Sequence, residues 1–183
     1  KDIINKQMNI SAKKIINRYS WITSGVILIS PLTGLDFLTT GLINVQMILE
    51  MSKIYGKKLT RERATHLTKS TISVLASLGV AKGGINLFTN ILSTNFTTSF
   101  ISKSVQSITS AWIIRIVGLS FIKYFENNQN WGDSGIGEII QKQYEINTRE
   151  EILKEFLKEA LQKINYKKDF LQKKQLPPYS HFD

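Results

Sequence analysis

The sequence predicts an all-α fold: six to seven helices packed as antiparallel helical hairpins, closed by a C-terminal amphipathic helix. Three observations predict it. The 183 residues contain only 3 prolines. Runs of β-branched residues rarely alternate with polar ones at the period of two that a half-buried strand needs. Apolar residues recur instead at spacings of three and four, which gathers them on one face of a helix.

The first helix is expected over about Ile3–Ile29. Ile4, Met8, Ser11, Ile15, Tyr19, Ile22, Val26 and Ile29 share one face, while Lys6, Lys13, Lys14 and Arg18 decorate the others. Pro31 forces the residue before it out of helical geometry and ends this helix. A second helix begins near Thr33–Leu35 and reaches Tyr55. Gly56 stands where a left-handed C-cap belongs, with "KKLT" behind it as a polar loop. Thr60 caps a third helix, and Glu62 lies near its positive end. That helix fades at Gly79. "GVAKGG" (Gly79–Gly84) reads as a break, followed by a shorter helix over about Ile85–Ser93.

"STNFTTSF" reads as an extended loop or a helix start. A long helix then covers about Phe100–Phe125, and "NNQNWGDSG" ends it. Ser134 caps a short helix through Tyr144. Thr148 and Glu151 have the spacing of a capping box and open the last helix, which runs to about Lys174. Ile152, Phe156, Ala160 and Ile164 share its apolar face. Glu150–Lys154 and Glu159–Lys163 are i,i+4 pairs worth about 0.2–0.5 kcal/mol each. Pro177 and Pro178 stop it. The organisation expected is a helical domain over 1–128, a helical extension over 129–174 and a frayed tail over 175–183. No internal repeat is present.

The formal net charge is +10, and its distribution is uneven. Lys1–Glu62 carries 9 basic and 4 acidic residues, Arg63–Phe125 carries 6 basic and no acidic ones, and Glu126–Asp183 carries 9 and 10. An acid-free stretch favours phosphate-bearing partners, either lipid headgroups or nucleic acid. Six dispersed charges also fit a buried apolar region, and they lack the clustered footprint of a nucleic-acid binder. Lys far outnumbers Arg, so part of the basicity reflects A/T-rich codons. Cysteine is absent. That excludes disulfides, thiol catalysis and Cys-ligated metal, and it fits a reducing compartment.

A membrane-spanning helix wants about 20 predominantly apolar residues. Tyr19–Leu35 contains Pro31; Gly83–Ser102 is mostly Gly, Ser, Thr and Asn; Val105–Ile114 is interrupted by Arg115. A soluble helical domain is therefore expected rather than an integral hairpin, and a surface-bound domain with a basic face remains compatible.

No catalytic, cofactor-binding or metal-binding residues are expected. His66 and His181 are far apart, with no carboxylate at ligand spacing. No nucleophile motif occurs. "GVAKGG" lacks the order of a phosphate loop and reads as a helix–helix turn. Trp112 and Phe121 read as core residues. Asp36, in "PLTGLDF", is the only acid between Asp2 and Glu50. It either caps a helix starting at Phe37 or pairs with a cation such as Arg115 across the core. Buried alone it would cost several kcal/mol.

"PLTGLD" (Pro31–Asp36) is followed by the helix end "KIYGKKLT" (Lys53–Thr60), then by "TISVLASLGVAKGG" and by "IIRIVGLSFIKYFENN". This order resembles the YcjF-type family of uncharacterised bacterial helical domains over roughly Ser20–Asn128. Members often follow an Era-like small GTPase domain in the same chain and are frequently described as membrane-associated. The resemblance implies an all-helical module coupled to a GTPase, with Pro31, Asp36, Tyr55, Gly56 and Arg115 as structural signature residues. No GTP-binding residue carries over. The Lys1 start fits a GTPase portion left off, or a stand-alone member.

The expected function is a non-enzymatic helical effector or membrane-proximal module associated with a small GTPase. One alternative is a structural subunit packed in or on a membrane complex. Another is a basic nucleic-acid-binding helical domain. The expected partners are a GTPase domain in cis or in trans, an anionic membrane surface and a second copy of the chain; nucleic acid is not favoured. The expected location is the cytoplasm or the periphery of an inner membrane, the thylakoid if the source is photosynthetic.

Overall fold

The computed structural model describes residues 2–29, 36–93 and 98–174, with side chains described for 2–22, 41–93 and 104–165. These residues form seven helices and no strand: α1 (Asp2–Ile29), α2 (Asp36–Ile54), α3 (Arg61–Ser77), α4 (Val80–Ser93), α5 (Thr98–Glu126), α6 (Gly135–Asn147) and α7 (Glu150–Lys174). The all-α expectation holds.

The centre of the bundle is α5. Between Lys103 and Lys123 it carries a single charge, Arg115. Ile108, Trp112, Ile114, Ile116 and Phe121 are all fully buried, and those positions point to every side of a helix. A helix apolar all round must be wrapped by others. Here α1, α2, α4, α6 and α7 all pack on α5. Ser104–Glu126 is long and apolar enough to cross a membrane by length and composition, and most of it is buried within the bundle. The expectation that Arg115 interrupts such a run is thereby corrected. A single central charge does not bring the average below what a span requires.

α1 is rotated from its expected face. Ala12, Ile16, Tyr19 and Ser20 are buried, whereas Ile4 and Ile22 are 66% and 46% exposed. The reason is a close approach to α5. A Cβ placed on Gly118 would lie 2.4 Å from Cγ1 of Ile16. The small residues Ala12, Ser20 and Gly118 let the two helices come together, so the seam follows them rather than the largest apolar side chains.

α2 ends as expected. Gly56 has φ +63°; its N–H donates to Lys53 O at 3.1 Å, and that of Lys57 to Ser52 O at 2.8 Å. This is the paired bonding of a Schellman cap. Thr60 caps α3, its Oγ1 accepting from the Arg63 N–H at 3.2 Å. Asp36 is the first residue of α2. Pro31 and the side chain of Asp36 lie outside the described residues, as does His181.

The expected break over "GVAKGG" shrinks to Leu78–Gly79, and α4 begins at Val80 rather than near Ile85. The later glycines sit inside the helix because α4 packs tightly. A Cβ on Gly84 would meet Thr109 Cγ2 and Trp112 Cζ3 at 3.0 Å, and one on Gly83 would meet the Tyr144 hydroxyl at 3.0 Å. Val80, Gly84, Phe88 and Leu92 form the buried stripe. α3 and α4 meet at 59°.

Two expected caps are corrected. Ser134 occupies the N-cap position of α6 without a side-chain cap bond. Thr148 does not open α7. Its hydroxyl donates back to Tyr144 O at 3.1 Å and Glu145 O at 2.9 Å, closing α6. Phe156, Ala160 and Ile164 of α7 are buried as expected, in the same core as α1–α5. Glu150 pairs with Lys154 at 2.5 Å. Glu159 turns instead to α1, where it accepts from Trp21 Nε1 at 2.7 Å.

Candidate functional site

Two places join helices that are distant in sequence through polar and aromatic groups. The first lies where α2 and α5 end. The Tyr55 ring stacks on Phe125 with centroids 5.4 Å apart. Its hydroxyl donates to Asn9 Oδ1 of α1 at 2.5 Å. Asn9 Nδ2 in turn donates to Glu126 Oε1 at 2.7 Å, and Lys123 Nζ reaches Glu126 Oε2 at 2.8 Å. α5 closes with the same double bond pattern as α2, from Asn128 N–H to Phe125 O and from Gln129 N–H to Tyr124 O. Asn128 and Gln129 hold φ of 55° and 62°. Lys57 Nζ then bridges the two caps by donating to Asn128 Oδ1 at 3.1 Å.

This joint sets its own protonation. Burial pushes the Tyr55 phenol well above its usual range, and the nearby Glu126 charge adds to the rise. Burial alone would raise the Glu126 carboxyl. Hydrogen bonds from Lys123 and Asn9, with the charges of Lys123 and Lys13, outweigh it and hold the group below 4.5.

The second place is a cleft of about 630 Å³ between α1, α5, α6 and α7. Its volume lies within the range of about 300–1,000 Å³ usual for small-ligand pockets. Trp21 of α1 stacks on Phe156 of α7 at 5.8 Å, 16° from parallel. Trp21 Nε1 is shared between Asn17 Oδ1 at 2.8 Å and Glu159 Oε1 at 2.7 Å. The Arg115 guanidinium lies over the Phe156 ring, 5.8 Å from its centroid, a cation–π arrangement. Lys13 and Lys14 line the same cleft. Gln143 and Asn147 contribute side chains only 9% and 2% exposed. Asn147 Nδ2 is committed to Gln143 O at 2.7 Å.

A protein-family model describing a domain of unknown function, DUF697, matches residues 1–149. The chain belongs to the DUF697 family. The match runs from α1 through α6 and so takes in the whole Tyr55–Phe125 joint. Searches of curated proteins and of solved structures return no match. The cleft of this DUF697 chain is built partly outside the matched residues, because α7 supplies Phe156 and Glu159.

The signature residues separate into two groups. Tyr55 and Gly56 lie at the joint; Arg115 stands ten residues back along α5, about 15 Å at the rise of an α-helix, and faces the cleft. Asp36 begins α2, and whether it caps that helix or meets Arg115 falls outside the described residues. Sequence reasoning missed Asn9, Trp21, Gln143 and Asn147, which come from different helices and share no local pattern. The one available signal was Arg115 itself, a lone cation in an otherwise uncharged run. Among the described residues no group of three or more His, Asp or Glu side chains converges to hold a metal. His66 is exposed on α3.

Proposed function

We propose that this DUF697 domain is a non-enzymatic helical module that works with a small GTPase, as its effector or membrane-proximal part, in the same chain or a separate one. The observation that carries the reading is an exposed apolar patch on α1. Ile3 and Ile4 are 84% and 66% exposed, about one and a half turns from Asn9, which ties α1 to the ends of α2 and α5. An apolar patch beside a polar joint suits a docking partner. A partner that gripped α1 would pull on the Asn9 link and shift the balance between two packings of the joint. The resemblance to the YcjF-type family supports a GTPase as that partner. The acid-free, basic middle of the chain supports an anionic membrane surface, at the periphery of an inner membrane (or a thylakoid) facing the cytoplasm.

The test is calorimetric titration of this chain with the small GTPase encoded in the same or the adjacent reading frame. The GTPase is loaded with GDP or with a non-hydrolysable GTP analogue. At least a tenfold preference for one nucleotide state is expected, abolished by Ile3→Asp with Ile4→Asp. Equal affinity for both states, or none, refutes the coupling. Co-sedimentation with anionic and neutral liposomes tests the membrane half, which fails if neither binds.

A second reading is a structural subunit in or on a membrane complex, favoured by the length and apolar content of Ser104–Glu126. It predicts that the chain stays with membranes after alkaline carbonate extraction. Release into the supernatant counts against it.

A further inference from the structure

We infer that the cleft between α1, α5, α6 and α7 binds a small phosphate-bearing molecule with an apolar body, its phosphate held by Arg115 and Gln143. This inference does not depend on coupling to a GTPase.

Three features of the cleft carry it. The first is charge. Lys13, Lys14 and Arg115 line it, and Glu159 is the single carboxylate among the lining residues. Glu159 accepts from the Trp21 indole N–H, and three cations against one carboxylate leave a positive excess. The second is Arg115. It is half-buried on the central helix, and no carboxylate among the described residues lies within ion-pair distance of it. Its guanidinium rests on the Phe156 ring, which orients the plane and leaves the N–H fork available. A planar fork of donors matches a phosphate through two parallel bonds, which a lysine cannot do. The third is Gln143. Its side chain lines the cleft and is only 9% exposed. An amide N–H on the cleft wall can donate to a ligand oxygen in the cleft.

The walls define the rest of the ligand. Leu119, Ile146 and Ile152 with the Trp21–Phe156 stack make most of the surface apolar. A bare phosphate would leave those walls wet. A phosphate on a short apolar body would cover them, and the volume suits a molecule of that size. Such chemistry could come from a free phosphorylated metabolite or from the end of an anionic lipid.

The test uses the full chain and dihexanoyl phosphatidic acid, a water-soluble probe with both parts. Titration calorimetry is followed in parallel with Trp21 fluorescence. Saturable one-to-one binding is expected, at least tenfold tighter than inorganic phosphate. Arg115→Gln should weaken it at least tenfold, and Arg115→Lys nearly as much because the fork is lost. Gln143→Leu should weaken it several-fold. Lys13→Gln with Lys14→Gln should weaken it several-fold and reduce its salt dependence. If Arg115→Gln disturbs folding by circular dichroism, the Gln143 and lysine variants carry the decision. Binding unchanged in folded Arg115→Gln, or unchanged in both other variants, overturns the proposal. Binding only to phosphatidylglycerol vesicles, with none to the soluble probe, also overturns it, since that is surface adsorption. Binding to the soluble probe and equally to such vesicles identifies lipid as the source; soluble probe alone identifies a free metabolite.

Discussion

Tyr55 and Phe125 stack face to face at 5.4 Å, 16° from parallel, joining the residue just past α2 to the end of α5 across seventy positions of sequence. The stack adds about 0.5–1.5 kcal/mol beyond the area it buries. Tyr55→Ala should cost about 2–3 kcal/mol, less than a fully buried aromatic because Tyr55 is only partly buried. Tyr55→Phe keeps the stack and loses only the bond to Asn9, about 1 kcal/mol. A double-mutant cycle with Phe125→Leu, read by urea unfolding, should return a coupling of about 1 kcal/mol. A coupling near zero would mean that the rings merely touch.

The same joint makes stability depend on pH at both ends. The folded-state value of Tyr55 is raised above 10, so its contribution is complete below pH 10. It is lost as pH climbs through that value, because the unfolded chain ionises first. Tyr19 is raised too, by burial and then by its bond to Glu50, and acts in the same direction. Thermal melts should therefore show a fall in Tm above pH 10, smaller in Tyr55→Phe.

Glu50 and Glu126 act at the acid end. Both are lowered from 4.5 although burial opposes it: Tyr19, Gln46 and Arg18 hold Glu50, and Lys123 and Asn9 hold Glu126. Their contribution is present above pH 4.5 and disappears as pH falls through their depressed values. The Glu126→Gln variant should lose less stability than the parent between pH 5 and pH 3, which chemical unfolding across that window measures.

Gly118 should tolerate no side chain. A Cβ there would stand 2.4 and 2.8 Å from Cγ1 and Cδ1 of Ile16. Ile is β-branched and holds one χ1 rotamer in a helix, so it cannot swing aside. Gly118→Ala should lose about 1–3 kcal/mol from overpacking, in spite of the better helix propensity of Ala. Adding Ile16→Ala should restore part of that loss. A Gly118→Ala protein as stable as its parent would show that the α1–α5 seam is looser than this.

Gly137 gives the opposite result. It lies in the first turn of α6, and nothing stands within 4 Å of a Cβ built on it. Gly137→Ala should raise stability by about 0.5–1 kcal/mol, or about 1–4 °C in Tm for a chain of this size.

Local chemistry was legible in the sequence wherever a cause and its effect lie within one turn of helix. The Gly56 cap, the Thr60 cap, the burial of Trp112 and Phe121 and the apolar face Phe156–Ala160–Ile164 all follow from residues three or four apart. The glycines of "GVAKGG" misled, because a glycine that permits a turn and one that admits a neighbouring helix are identical in sequence. Thr148 misled for a related reason: a hydroxyl at the junction of two helices can serve either, and here it closes α6. The face of α1 could not be read from periodicity, since Gly118, about a hundred residues away, decides where that helix can come closest. The cleft was hidden more deeply still. Its cations, aromatic stack and buried amides come from α1, α5, α6 and α7, and only the bundle brings them together. The sequence by itself determined six to seven helices and most of their ends, because hydrogen bonds and caps are local. Which faces meet, and what collects between them, was left to tertiary packing, where steric fit between distant side chains outweighs any local preference.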